Sequence, residues 1–167
     1  MIHYVKGNAT EPQLPGRKVI AHIVNDRGKW GKGFVMAVSE KWPVAREAYL
    51  AWARGREPEF MAPVTQDPFS LGGNQNVMVD EERIICSMCA QRGINSFGQA
   101  KKDRVDYTAL EVCCVRLAAS AKQFGATVHM PRIGTGLAGG NWDRIEDILN
   151  RTLAGAGLSV TVYDLDA

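Results

Sequence analysis

The spacing of apolar residues changes several times along the chain, and each change marks an element. "MIHYVKG" reads as a short strand that stops at Gly7, and "RKVIAHIV" is apolar enough for a strand buried on both faces. The glycine-bearing loop "NDRGKWGKG", residues 25–33, follows. The run "KGFVMAVSEKW" is helical up to Pro43, and "PVAREAYLAWARG" takes Pro43 as its first helical residue and Gly55 as its stop. Beyond a Pro- and Gly-rich link, "NVMVD" and "RIICSMCA" flank an acidic turn and read as an antiparallel pair. "QRGINSFGQAKKDRV" is polar and contains glycine, so it reads as a mobile loop.

From Asp106 the period becomes helical. Leu110, Cys113, Cys114, Leu117, Ala118 and Ala121 hold the spacing of one buried stripe. "ATVHMP" is a further buried strand, followed by the second glycine loop, "RIGTGLAGG", residues 132–140. Asn141 then caps a helix that turns Trp142, Ile145, Ile148, Leu149, Thr152 and Leu153 inward, with Asp143 and Glu146 near its positive end. "LSVTVYDL" closes the chain as a strand. This succession predicts an α/β fold, a three-layer α/β/α sandwich with a mixed central sheet. Neither repeat, low-complexity tract nor linker divides it, so residues 1–167 are expected to form one domain. Ligands of such folds sit at the C-terminal ends of the strands, and both glycine loops lie at that edge.

Composition changes the picture little. The chain is 46% hydrophobic and 23% charged, as ordinary globular proteins are, and its net charge of +2 is too small for general nucleic-acid binding. With no signal-like segment and no apolar run of membrane-spanning length, a cytoplasmic monomer away from membranes is expected. Of the four cysteines, Cys86 and Cys89 spell C-x-x-C, but within a strand that spacing points them to opposite faces. No second pair completes a zinc site, so buried free thiols, no metal and no cofactor are expected.

Glycines in both loops let backbone N–H groups converge on one point, an arrangement that binds phosphate oxygens. The alternative is two tight turns. No segment satisfies the P-loop pattern. Gly134, Gly136 and Gly139 do spell G-x-G-x-x-G after a strand and before a helix. That fingerprint normally opens a long βαβ array, whereas here one helix and one strand remain. Asp164 follows on the last strand, which keeps an NAD-binding, Rossmann-like protein as a minority reading.

"YVKGNAT", "AHIVNDRGKWGKGF", "MPRIGTGLAGGNWDRIE" and the "VTVYDL" ending together resemble a macrodomain over nearly the whole chain. The resemblance is greatest to the branch containing the human terminal ADP-ribose protein glycohydrolase. It implies binding of ADP-ribose and ADP-ribosylated proteins, with ADP-ribosylated nucleic acid as a further class. It also implies that Gly7, Asn8 and Ala9 lie beside the adenine. Family members usually carry Asp where this chain has Asn8, accepting a hydrogen bond from the adenine amine; Asn8 offers its amide oxygen for the same bond. Gly31, Lys32, Gly33, Phe34 and Val35 would line the diphosphate. Arg132, Ile133, Gly134, Thr135, Gly136, Leu137 and Ala138 would supply the opposing loop, and His22 and Trp30 complete the set.

The departures bear on chemistry. Where the human enzyme has a catalytic lysine and aspartate, this chain has Ala90 and Ala138, so a lysine adduct to the sugar is not available. Asn25 and Asp26, where a strand meets its loop, are expected to face the distal ribose, with Asp26 accepting a proton from water and Gln91 orienting that water. Each has a plainer reading: Asp26 as a cap of backbone amides, Gln91 as a solvated strand end. His22 and His129 likewise read as hydrogen-bonded core residues, and Trp30 either stacks on ligand or pins its loop. Lys101, Lys102 and Arg104 form a solvated run or steer an anion. The expected function is hydrolysis of ADP-ribose from modified Glu or Asp side chains by water activation, with a non-catalytic ADP-ribose reader as the alternative.

Overall fold

A computed structural model describes residues 2–57 and 62–165. Seven strands form one sheet in the order β1-β7-β6-β2-β5-β4-β3. Their spans are β1 Ile2–Lys6, β2 Lys18–Asn25, β3 Val64–Gln66, β4 Asn74–Met78, β5 Arg83–Gln91, β6 Thr127–Pro131 and β7 Val160–Asp164. The pairs from β1 through β5 in that order are parallel, and β4 and β3 extend the sheet antiparallel at one edge. The sheet is mixed, as the pattern predicts. Its order is not that of a dinucleotide-binding array, and the G-x-G-x-x-G turn joins β6 to the last helix, so the Rossmann-like reading falls.

Helices cover both faces: α1 Phe34–Lys41 and α2 Pro43–Ala53 on one, α3 Tyr107–Phe124 and α4 Trp142–Thr152 on the other. The larger core lies under α3 and α4, where Leu110, Cys114, Leu117, Ile145 and Leu149 meet Val19, Met88, Met130 and Val162. A second, aromatic core of Tyr49, Trp52 and Trp30 packs with Ile20 and Ile85 under α1 and α2. Cys86 belongs to the first core and Cys89 to the second, as alternation along β5 requires. Burial pushes the Cys89 and Cys114 thiols up to about 12, which leaves them as inert packing groups. Asp106 caps α3 through Ala109 N–H (2.9 Å) and Asn141 caps α4 through Arg144 N–H (3.3 Å).

Two details escape the sequence pattern. Val64–Gln66 is a strand inside what reads as a link, because a three-residue edge strand between Pro63 and Pro68 carries no measurable period. The pairing of β2 with β5 also slips at its C-terminal end: Val24 faces Cys89, but Asn25 faces Gln91. Ala90 is the extra residue. Its side chain goes to the α3–α4 core, and Gln91 is brought beside Asn25. Because Leu149 is fully buried in the larger core, Leu149→Ala is expected to lower unfolding free energy by about 2–5 kcal/mol, measured by urea denaturation.

Candidate functional site

The loops after β2, β5 and β6 meet at the C-terminal edge of the parallel strands, and side chains tie them together. Asn25 organises the first loop: its Oδ1 accepts from Arg27 N–H (3.0 Å) and Lys29 N–H (3.2 Å), and its Nδ2 donates to Lys29 O (2.7 Å). Tyr49 supports it from below by donating to Asn25 O (2.8 Å). Trp30 pins the loop to the body, donating to Val35 O (3.0 Å) while its ring packs on His22 and Tyr49. The Asp26 carboxylate accepts from Gly93 N–H (2.8 Å) and so fastens the first loop to the one after β5, here called the third loop. Asn95 fastens the third to the second, donating to Leu137 O (2.9 Å) and to Lys102 O (2.8 Å).

Between these loops runs a continuous groove. Its narrower part, about 190 Å³, lies between Lys32, Gly33, Phe34 and Val35 on one side and Arg132, Ile133, Gly134, Gly136, Leu137 and Ala138 on the other. Gln91 and Ile23 are shared with a wider part of about 490 Å³, bounded by Asn25, Trp30, Gly31 and the third loop. Gly33 precedes α1 without a side-chain cap, so the first N–H groups of that helix have no partner from within it. The N–H groups of Gly31, Lys32, Gly33 and Phe34, and of Gly134, Gly136 and Leu137 opposite, make no hydrogen bond to another described residue. Lys29, Lys32, Lys101 and Arg132 are the charged lining residues; among the described residues no carboxylate lines either part. Such a lining suits an anion.

Of the solved structures, a macrodomain protein from Streptomyces coelicolor is 41% identical, with 98% of this chain and 99% of that one covered at a TM-score of 0.81. The chain belongs to the macrodomain family. No family model matches it. Among curated relatives, a chromodomain-helicase-DNA-binding protein 1-like from Danio rerio is 27% identical over 97% of this macrodomain, which spans only 15% of that protein's length. An ADP-ribose 1''-phosphate phosphatase from Lodderomyces elongisporus is 23% identical, with 99% of each chain covered.

The macrodomain fold brings most of the sequence-predicted residues together, but not all. Asp26 does not line the groove, since its carboxylate is turned to Gly93. Gln91 does, with Nε2 donating to Gly93 O (2.9 Å). Thr135 turns its hydroxyl to Arg132 O (2.8 Å) and Ala9 is buried. Gly7 and Asn8 line a separate cavity with Tyr163. Arg132 is held by Asp164 through Nε (2.7 Å) and Nη2 (3.0 Å) and lies over the Tyr4 and Trp142 rings. The sequence reading missed the third loop as a wall: Ile94, Asn95, Ser96, Phe97 and Gln99 line the wider part. Its signal was present, two large apolar residues in an otherwise polar run.

His22 lies in the floor of the narrow part, bonded through Nε2 to Ser87 Oγ (2.9 Å), with Nδ1 unpartnered among the described residues. Burial pushes its imidazole down to about 4, so it is neutral at pH 7. His129, bonded to Tyr163 and Thr127, is pushed down to about 4 by burial and then by the Lys18 charge. Both bind a proton more weakly folded than unfolded, so their contribution is complete above about pH 6.5 and is lost as pH falls toward 4. Urea unfolding across that window is expected to show stability falling by about 3 kcal/mol per histidine, with His22→Gln flattening the profile.

Proposed function

We propose that this macrodomain holds an ADP-ribosyl group in the groove and hydrolyses it from acidic side chains of modified proteins. The observation that carries the binding is that residues on the two sides of the narrow passage, Lys32, Gly33 and Phe34 on one and Gly134, Gly136 and Leu137 on the other, have N–H groups with no hydrogen bond to another described residue, a match for the oxygens of a diphosphate. The phosphatase relative, whose name gives an ADP-ribose derivative as its substrate, supports the same ligand. The diphosphate then sits between α1 and the second loop, with the distal ribose toward Asn25, Trp30 and Gln91. The adenosine lies toward Gly7 and Asn8.

For an ester-linked group the bond that breaks joins the anomeric carbon to a carboxylate oxygen. Water adds to that carbon and its proton passes to solvent or to the departing carboxylate. The carboxylate is a good leaving group, so an oriented water suffices without a lysine adduct. Gln91 is suited to orientation, because one Nε2 hydrogen bond to Gly93 O holds its amide and its Oε1 is left to accept from water. Asp26 supports this wall through Gly93. A second reading, binding without hydrolysis, is favoured by one observation: no carboxylate base lines the groove among the described residues.

Calorimetry is expected to give a Kd for ADP-ribose of about micromolar order. A Cβ on Gly136 meets nothing within 4 Å, so Gly136→Glu is expected to keep the melting profile while abolishing binding by placing a negative charge in the passage. Incubation with a Glu-linked ADP-ribosyl peptide is expected to release ADP-ribose. Gln91→Ala should slow release by about tenfold or more while shifting Kd by less than about threefold. ADP-ribose bound well beside a peptide left intact over hours would instead establish the reader.

A further inference from the structure

The groove does not end at its wider part. An open hollow of about 430 Å³ adjoins it along the first loop and reaches α2, sharing Lys29, Trp30, Gly31 and Ile94 with the wider part. From α2 and its C-cap come Arg46, Leu50 and Arg54, whose i, i+4, i+8 spacing puts them on one side of the helix. Lys29, Arg46 and Arg54 are therefore three cations on one hollow, and among the described residues no carboxylate lines it. All three are exposed, and their side chains make no hydrogen bond or ion pair with another described residue. The acids close to them in sequence do not offset this charge. Glu47 is not a lining residue, and Asp26 is engaged by Gly93 N–H (2.8 Å) and by Arg27 Nε (3.9 Å).

This charge has no counterpart in ADP-ribose itself. In the placement proposed above the diphosphate occupies the narrow part, where the charged residues are Lys32 and Arg132. Lys29, Arg46, Arg54 and Lys101 lie outside that part, on the side of the distal ribose and whatever it is attached to. The ribose is neutral, and a modified Glu has lost its own charge to the ester. An anion for these cations then has to come from neighbouring residues of the modified chain. Resting on that placement, we propose that the hollow docks an acidic peptide, taking Glu and Asp residues that flank the modified side chain. A peptide fits better than a nucleic acid, because single strands are held by stacking on exposed aromatic rings. The ring that lines the hollow is Trp30, which is buried and packed on His22 and Tyr49; exposed Phe97 lines the wider part instead. Leu50 and Ile94 offer aliphatic surface for side-chain stems.

The probes are peptides that carry ADP-ribose on one side chain through an amide in place of the ester. The amide keeps the ligand intact whether the protein hydrolyses or only binds. One peptide has Glu and Asp around the modified residue, and the other has Gln and Asn. By calorimetry at low salt the acidic peptide is expected to bind tighter by more than about threefold, an advantage that shrinks as salt screens it. Arg46→Gln combined with Arg54→Gln, both at exposed positions, should cut that ratio by more than about half while moving the Kd of free ADP-ribose by less than about twofold. A wild-type ratio below about threefold, a ratio the double variant fails to halve, or an equal loss for free ADP-ribose overturns the proposal while the ADP-ribose reading stands. Tighter binding of an oligonucleotide bearing the same ADP-ribosyl group overturns it too, and gives the hollow to nucleic acid. If free ADP-ribose does not bind, that reading and this proposal fall together.

Discussion

The site depends on a division of labour among backbone groups. A glycine loop left to itself satisfies its N–H groups internally or collapses, because unpaired polar groups are costly to bury. Here the loops are held from behind by side chains: Asn25 on its own loop, Asp26 on Gly93, Asn95 on Leu137 and Lys102. The N–H groups of Gly31–Phe34 and of Gly134, Gly136 and Leu137, all in residues that line the groove, are left without a hydrogen bond to another described residue. Loops held in this way need little reorganisation to receive a ligand.

That arrangement rests on the sheet. The parallel run β1-β7-β6-β2-β5 puts the C-terminal ends of β2, β5 and β6 side by side, so three loops far apart in sequence emerge at one edge. The one-residue slip between β2 and β5 has a disproportionate effect. By leaving Ala90 without a partner on β2 it lets Gln91 stand next to Asn25, at the junction of the two parts of the groove. Without the slip Asn25 would face Ala90, as Val24 faces Cys89, and Gln91 would fall one residue further along.

Second-loop glycines divide into two kinds. A Cβ on Gly134 would stand 3.0–3.2 Å from Val105, Ile145 and Ile23, and one on Gly140 would stand 2.6 Å from Gly134 O. One on Gly139 would stand 2.6 Å from Lys102 O, so these three are required by packing. Gly136 meets nothing, so its lack of a side chain serves the open passage. Spelling G-x-G-x-x-G does not distinguish the two, which is why the same motif suits a dinucleotide fold and this one.

Much was legible in the sequence. The strand and helix periods, the cap at Asn141, and two glycine loops at strand ends all follow from local rules, since side-chain period and cap chemistry act over a few residues. The mixed sheet followed from element order. What the sequence could not decide was where polar side chains turn. Asp26 has the chemistry of a base, but its carboxylate is captured by an amide 67 residues away. Asn8 has an acceptor, but Thr10 takes it. The third loop has the composition of a solvated connection, yet it forms a wall of the groove. In each case the deciding interaction is either long-range or a choice between two atoms of one amide. Residue identity and spacing carry no information about either, so only the tertiary structure settles them.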